Sequence, residues 1–141
     1  MNSQSNYEAL RAIYPLSREA YERLELFVSR LEEWQRKTNL IAPSTLDEIW
    51  QRHVGDSLQL IALKPKTTKW LDIGSGGGFP GLVITAIMAD VDSSVVTMVE
   101  SNNKKTAFLR QVNRQMGGNA SVITDRIENA DTAVTLSLIH I

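Results

Sequence analysis

The ten residues Asp72-Ile73-Gly74-Ser75-Gly76-Gly77-Gly78-Phe79-Pro80-Gly81 constrain this chain more than any other stretch. Five glycines fall within eight residues, directly after the apolar run Trp70-Leu71-Asp72-Ile73. A short apolar run that stops at glycines reads as a buried parallel strand. Pro80 is placed in the first turn of a helix, which continues through Leu82, Val83, Ala86 and Ile87. Glycines between a strand and a helix let the backbone approach a ligand closely, and the helix N-terminal N–H groups then point at it. A glycine-rich turn without a ligand is the plain alternative.

The residues that follow repeat the alternation. Val95-Val96-Thr97-Met98-Val99 is a second, β-branched run. The helix after it is expected to bury Ala107, Phe108, Leu109, Val112 and Met116, and to stop at the C-cap pair Gly117-Gly118. Ala120-Ser121-Val122-Ile123-Thr124 reads as a third strand. Strand, helix, strand, helix, strand is the order that gives a right-handed parallel sheet.

Residues 7–61 carry a helical period instead. Ser17 is an expected N-cap, after which Tyr21, Leu24, Phe27, Val28, Leu31 and Trp34 recur at three- and four-residue spacing, to an end near Lys37-Thr38-Asn39. Ser44 or Thr45 with Asp47 or Glu48 three residues on forms a capping-box pattern before another helix. Its apolar face is Leu46, Ile49, Trp50, Val54, Leu58 and Ile61. Pro65, among Lys64, Lys66 and Lys69, divides the chain into an N-terminal helical domain, 1–65, and an α/β domain, 66–141.

Composition excludes several classes. Among 141 residues, 43% hydrophobic and 22% charged, no apolar run approaches the ~20 needed to span a bilayer, so no membrane partner is expected. Met1-Asn2-Ser3-Gln4-Ser5 has neither a basic nor an apolar leader region, and a cytoplasmic protein is expected. The absence of cysteine removes disulfides, thiolate nucleophiles and the common zinc sites, and His53 and His140 are the only imidazoles, so no metal site is expected. Net charge is −1, but Asn102 to Met116 holds Lys104, Lys105, Arg110 and Arg114 without an acid. That face is either a solvated helix surface or one that meets phosphates.

The ligand reading turns on position 79. A dinucleotide fingerprint needs a small residue there for close helix–strand packing, and Phe79 does not fit. The glycines at 74, 76 and 78, with Asp72 two residues before them, are instead similar to the first motif of Rossmann-like methyltransferases. Their cofactor, S-adenosyl-L-methionine, has no pyrophosphate, so the loop has only to pass near its methionine and ribose parts. Asp72 can stand near its cationic groups. Glu100, at the end of the second strand, can accept both ribose hydroxyls, in this cofactor or in a dinucleotide. Asp125-Arg126-Ile127-Glu128 falls where an adenine would lie.

Longer segments carry a closer likeness. Leu71 to Gly81, with Phe-Pro-Gly directly after the glycines, resembles the signature of the RsmG (GidB) family. Glu33-Trp34-Gln35-Arg36-Lys37-Thr38-Asn39-Leu40, Arg52-His53-Val54-Gly55-Asp56-Ser57-Leu58, and Glu100-Ser101 through Lys105 with Phe108-Leu109-Arg110 match further family segments in the same order. The resemblance runs from about Leu24 to Glu128. It implies an α/β fold in which a small N-terminal helical domain precedes an incomplete Rossmann-like methyltransferase sheet. It also implies methylation of guanine N7 in small-subunit ribosomal RNA, with that RNA or the assembling small subunit as partner of a monomer. Cofactor contacts are implied at Gly74, Phe79, Ile127 and Glu128, beside the Asp72, Gly76, Gly78 and Glu100 read from the loop. Guanine N7 has a free lone pair and no proton, so no general base is required and no catalytic residue is expected.

The likeness fades after Glu128. Where the family has an arginine after its fourth strand, this chain reads Leu136-Ser137-Leu138. A truncated frame is the expectation, with the fragment itself inactive, and a non-catalytic S-adenosylmethionine-binding or assembly module is the alternative function. A nicotinamide-dependent oxidoreductase is a third reading, disfavoured by Phe79. On a helix Arg52 would pair with Asp56 and His53 with Ser57. Those four residues either tie the helical part to the α/β part or touch RNA or cofactor.

Overall fold

The structure, a computed structural model, describes residues 2–126. Among them α1 (Ser3–Arg11) and α2 (Arg18–Gln35) lead into a 3₁₀ turn (Pro43–Glu48), a π turn (Ile49–Gly55) and α3 (Asp56–Leu63). The alternation then runs β1 (Lys69–Ile73), α4 (Gly81–Met88), β2 (Val95–Glu100), α5 (Asn103–Gln115) and β3 (Ser121–Thr124). The three strands are parallel in the order β1-β2-β3, with Asp72 opposite Met98 and Met98 opposite Val122. This is the incomplete Rossmann-like α/β arrangement the sequence predicts. No helix among the described residues is long and apolar enough to cross a membrane.

Local chemistry sets most of the boundaries. The Ser17 hydroxyl accepts from Ala20 N at 3.0 Å, so the expected cap of α2 forms. The C-terminal stop of α5 also forms: Gly117 adopts φ +73° and its N–H reaches the Arg114 carbonyl. The capping box before the third helix does not. Thr45 Oγ1 donates to the Ala42 carbonyl and meets His53 Nε2 at 2.8 Å, so its hydroxyl is engaged away from the downstream N–H groups. Chain 43–63 winds as 3₁₀, π and α in turn rather than as one helix. On α5 Phe108, Leu109, Val112 and Met116 are buried as expected, but Ala107 faces solvent, one position off the stripe.

Helices α4 and α5 pack on the sheet, and α2 packs across both of them. All eight residues of α4 are buried, because it lies between the sheet on one side and α2 and α3 on the other. Phe27 of α2 meets Phe79 at 4.9 Å and Phe108 at 6.3 Å between ring centroids. Trp34 packs edge-on against Phe108 and donates to Gln111 Oε1 at 2.9 Å. Arg23 forks onto Asp90, at 2.7 and 2.9 Å, and also donates to the Ala86 carbonyl at the end of α4. One hydrophobic cluster thus runs from Tyr7 and Leu10 to Val112 and Met116.

Candidate functional site

The glycine loop is built from backbone conformations that side chains rarely adopt. Gly74, Gly76 and Gly78 have φ of +73°, +52° and +96°. Gly74 N and Ser75 N both donate to the Val99 carbonyl, so the loop springs from the junction of β1 and β2. Gly78 N donates to the Ser75 carbonyl at 2.8 Å and tightens the turn. Gly77 is glycine for a different reason. A Cβ there would lie 2.6 Å from the Leu40 carbonyl oxygen, so the loop is pressed against backbone from the helical part of the chain.

Two acids hold the loop from either side. Glu100, 8% exposed, accepts from Gly76 N through Oε1 at 2.8 Å and from Asn102 N through Oε2 at 2.9 Å. It joins the end of β2 to both the loop and the start of α5. Asp72, 2% exposed, accepts from Gly81 N at 3.0 Å and so anchors the start of α4. Burial pushes the Asp72 carboxyl up to about 6; hydrogen bonds from Ser75 and Gly81 oppose the rise, and the charge of Glu100 adds to it.

Above the C-terminal ends of the strands lies a cavity of about 260 Å³, lined by Ile73, Gly74, Val99, Glu100, Ser101, Asp125 and Arg126. Ligands of open α/β sheets bind in this crevice. Of the residues picked from sequence, Gly74, Glu100, Asp125 and Arg126 meet here, and Gly76 is joined to them through Glu100. Asp72 faces α4 instead of the cavity, and a Cβ on Gly78 would fall against Leu82. Phe79 lies on a separate cleft of about 240 Å³ with Arg52, His53, Asp56, Ser57, Leu60 and Pro80. Ile127 and Glu128 lie outside the described residues.

The Arg52–Ser57 segment differs from helical expectation. Arg52 pairs with Glu48 rather than Asp56. Ser57 Oγ donates to the His53 carbonyl at 2.7 Å, not to its ring. The His53 ring stacks on Phe79 with centroids 4.8 Å apart, which joins the π turn to the end of the glycine loop. Burial lowers the His53 pKa; the charge of Asp56 opposes and that of Arg52 assists.

Other participants were not singled out from the sequence. Ser101 lines the cavity, and its place directly after the strand-end acid was the available signal. Asn102 caps α5, its Oδ1 accepting from Lys104 N and Lys105 N, as an Asn before a helical period does. The approach of Leu40 to Gly77 has no sequence signal, since it joins residues 37 positions apart through backbone alone.

A parallel sheet with a tight glycine loop after its first strand and a clasping acid at the end of its second defines a Rossmann-like α/β protein with a ligand crevice at the strand ends. The family model for GidB, rRNA small subunit methyltransferase G, matches residues 20–141. The chain belongs to that family. It is 52% identical over 125 residues to the ribosomal RNA small subunit methyltransferase G of Rhodopseudomonas palustris (strain HaA2), covering 88% of this chain and 52% of that protein. Proteins of the same name from Nitrobacter hamburgensis and Sinorhizobium medicae are 50% and 47% identical over 115 and 119 residues. Those matches cover 82% and 84% of this chain, and 44% and 56% of the relatives. The chain spans about half the length of the curated relatives it matches.

Proposed function

We propose that this protein is an S-adenosyl-L-methionine-dependent methyltransferase acting on N7 of a guanine in small-subunit ribosomal RNA. The observation that carries the cofactor half is the meeting of Gly74 and Glu100 in one cavity at the strand ends. The donor set fits the cofactor. Each Glu100 oxygen accepts one backbone N–H, and a carboxylate offers about four lone-pair positions, so both oxygens keep capacity for ribose hydroxyls. A Cβ at Gly74 would meet no atom within 4 Å, so the backbone there lies open to a ligand. Gly76 and Gly78 give the loop its shape, and Ile127 and Glu128 are proposed for the adenine side. Asp72 acts through the loop, by fixing Gly81. Phe79 borders the neighbouring cleft, beside His53, and is proposed to face the methyl-bearing end.

When bound, the cofactor supplies an electrophilic methyl group on a sulfonium. The chain's own task is to hold donor and acceptor in line and to exclude water. Guanine N7 carries a lone pair and no proton, so no residue is assigned as a base, and no metal is invoked. The RNA half of the proposal rests on family membership and on the relatives' names. A cytoplasmic monomer acting on ribosomal RNA or on the assembling small subunit completes the reading. One observation favours the alternative for these 141 residues alone, a non-catalytic cofactor-binding or assembly module: they span about half of the relatives' length.

Titration calorimetry with S-adenosylhomocysteine tests the site. Binding is expected to the 141-residue chain, at least tenfold weaker binding to a folded Glu100→Gln variant, and none for NAD. Equal affinity in the variant would remove Glu100 from the site, and tighter binding of NAD would restore the oxidoreductase reading. Methyl transfer to small subunits lacking the modification is expected only when the chain is joined to the C-terminal half of the Rhodopseudomonas relative. Transfer by the 141 residues alone would end the module reading.

A further inference from the structure

The last residue of α2 holds the segment that abuts the glycine loop. The Gln35 side chain turns back over the chain that follows. Its Oε1 accepts from Leu40 N at 3.0 Å and from Ile41 N at 3.2 Å, and its Nε2 donates to the Ile41 carbonyl at 2.9 Å. Three of the amide's four hydrogen-bonding positions are thereby engaged with two consecutive residues, much as a neighbouring strand would engage them. Leu40 is buried, and its carbonyl is the group that abuts Gly77. A Cβ at Gly77 would also lie 3.2 Å from Ile41 Cγ2, so both residues held by Gln35 form the wall against which the loop rests.

The loop needs such a wall. Three glycines in left-handed conformations lose more freedom on ordering than any other residues would, so their arrangement must be imposed from outside. Glu100 holds Gly76 and Asp72 holds Gly81, which leaves the middle of the loop, Gly77, to backbone packing. We infer that Gln35 is a positioning residue for the cofactor: through Leu40 and Ile41 it fixes Gly77, and so presents Gly76 to Glu100 in the binding conformation. The inference rests on the proposed cofactor site.

Three measurements on the 141-residue chain test it. In Gln35→Met, which keeps the length of the side chain and removes its hydrogen bonds, S-adenosylhomocysteine binding is expected to weaken at least tenfold at a temperature where near-UV circular dichroism shows the fold intact. Amide exchange at Gly76 and Gly78 in the ligand-free variant is expected to quicken by a similar factor, while Val96 and Met98 in β2 exchange as before. Gln35→Glu retains the two acceptor contacts and is expected to recover part of the affinity. If Gln35→Met fails to fold, Gly77→Ala displaces the same wall from the loop side and is expected to give the same pattern. A Gln35 that merely completes the end of α2 would lower the melting temperature and leave both the affinity and the loop exchange unchanged, which would overturn the inference. Absence of binding to the unmodified chain would instead overturn the cofactor site, and the inference with it.

Discussion

Asp72 shows how much of a residue's part is set by its neighbours. The sequence places an acid two residues before a glycine loop, which reads as a partner for a cation. In the structure its carboxylate is buried and receives one backbone N–H from Gly81. With its pKa raised to about 6, the folded state holds the proton more tightly than the unfolded chain does. The contribution of this group to stability is therefore fully present below about pH 4 and lost as pH rises through about 6. A shift of about two units corresponds to roughly 3 kcal/mol. Asp72→Asn retains an acceptor for Gly81 N and removes the buried charge. It is expected to raise stability in urea melts at pH 7.5 by on the order of 2 kcal/mol and to leave it nearly unchanged at pH 4. Equal effects at both pH values would show that the carboxylate is solvated in the fold. Glu100 was legible as a residue of the strand-end crevice because a strand end fixes where an acid must sit. The partner of Asp72 was not, because it depends on where the first turn of α4 comes to rest.

At the scale of elements, α5 separates residues that look alike in sequence. Arg110 donates to the Val122 carbonyl and to Thr124 Oγ1, so it fastens β3 to the helix. Lys104 and Arg114 are exposed and Lys105 is half-exposed, with Lys104 and Lys105 in the first turn, shortly after the cavity-lining Ser101. Two cations and no acid oppose the dipole at that end of the helix, a small cost that a polyanion would offset. Lys104→Ala with Lys105→Ala is expected to weaken RNA binding by the extended, active protein and to flatten its salt dependence by about one to two charges. Arg110→Ala is expected to lower thermal stability instead. An unchanged salt slope in the double variant would return the first turn to plain solvated surface. The strands and the long helices were readable because their apolar periods run for a whole element, and Ser17 and Gly117 marked two ends. Chain 43–63 was not, because the Thr45 hydroxyl had two outlets, a cap or a bond to the Ala42 carbonyl and the His53 ring, and only the packed fold decides between them.

At the scale of the molecule, the boundary drawn at Pro65 marks a change in local pattern, while one hydrophobic cluster extends across it. We propose that the two parts fold as one unit. Residues 66–141 expressed alone would leave α4 without the cover of α2 and α3, and Phe79 and Phe108 without Phe27. Such a piece is expected to bind hydrophobic dye and to melt without a cooperative transition, whereas the whole chain melts in one step; a sharp, separate transition in the piece would establish two independent folding units. The same wiring bears on how the chain is made. Trp34 finds Gln111 across 77 positions, and Arg30 finds Gln115 across 85. At synthesis rates of about 5–20 residues per second, Trp34 is translated roughly 4–15 s before the Gln111 that it meets. Through that interval the Trp34 end of the stripe lacks its native cover of Phe108 and Gln111, although Tyr21 already has Tyr7, and a newborn chain of this protein depends on whatever shields that end in the meantime.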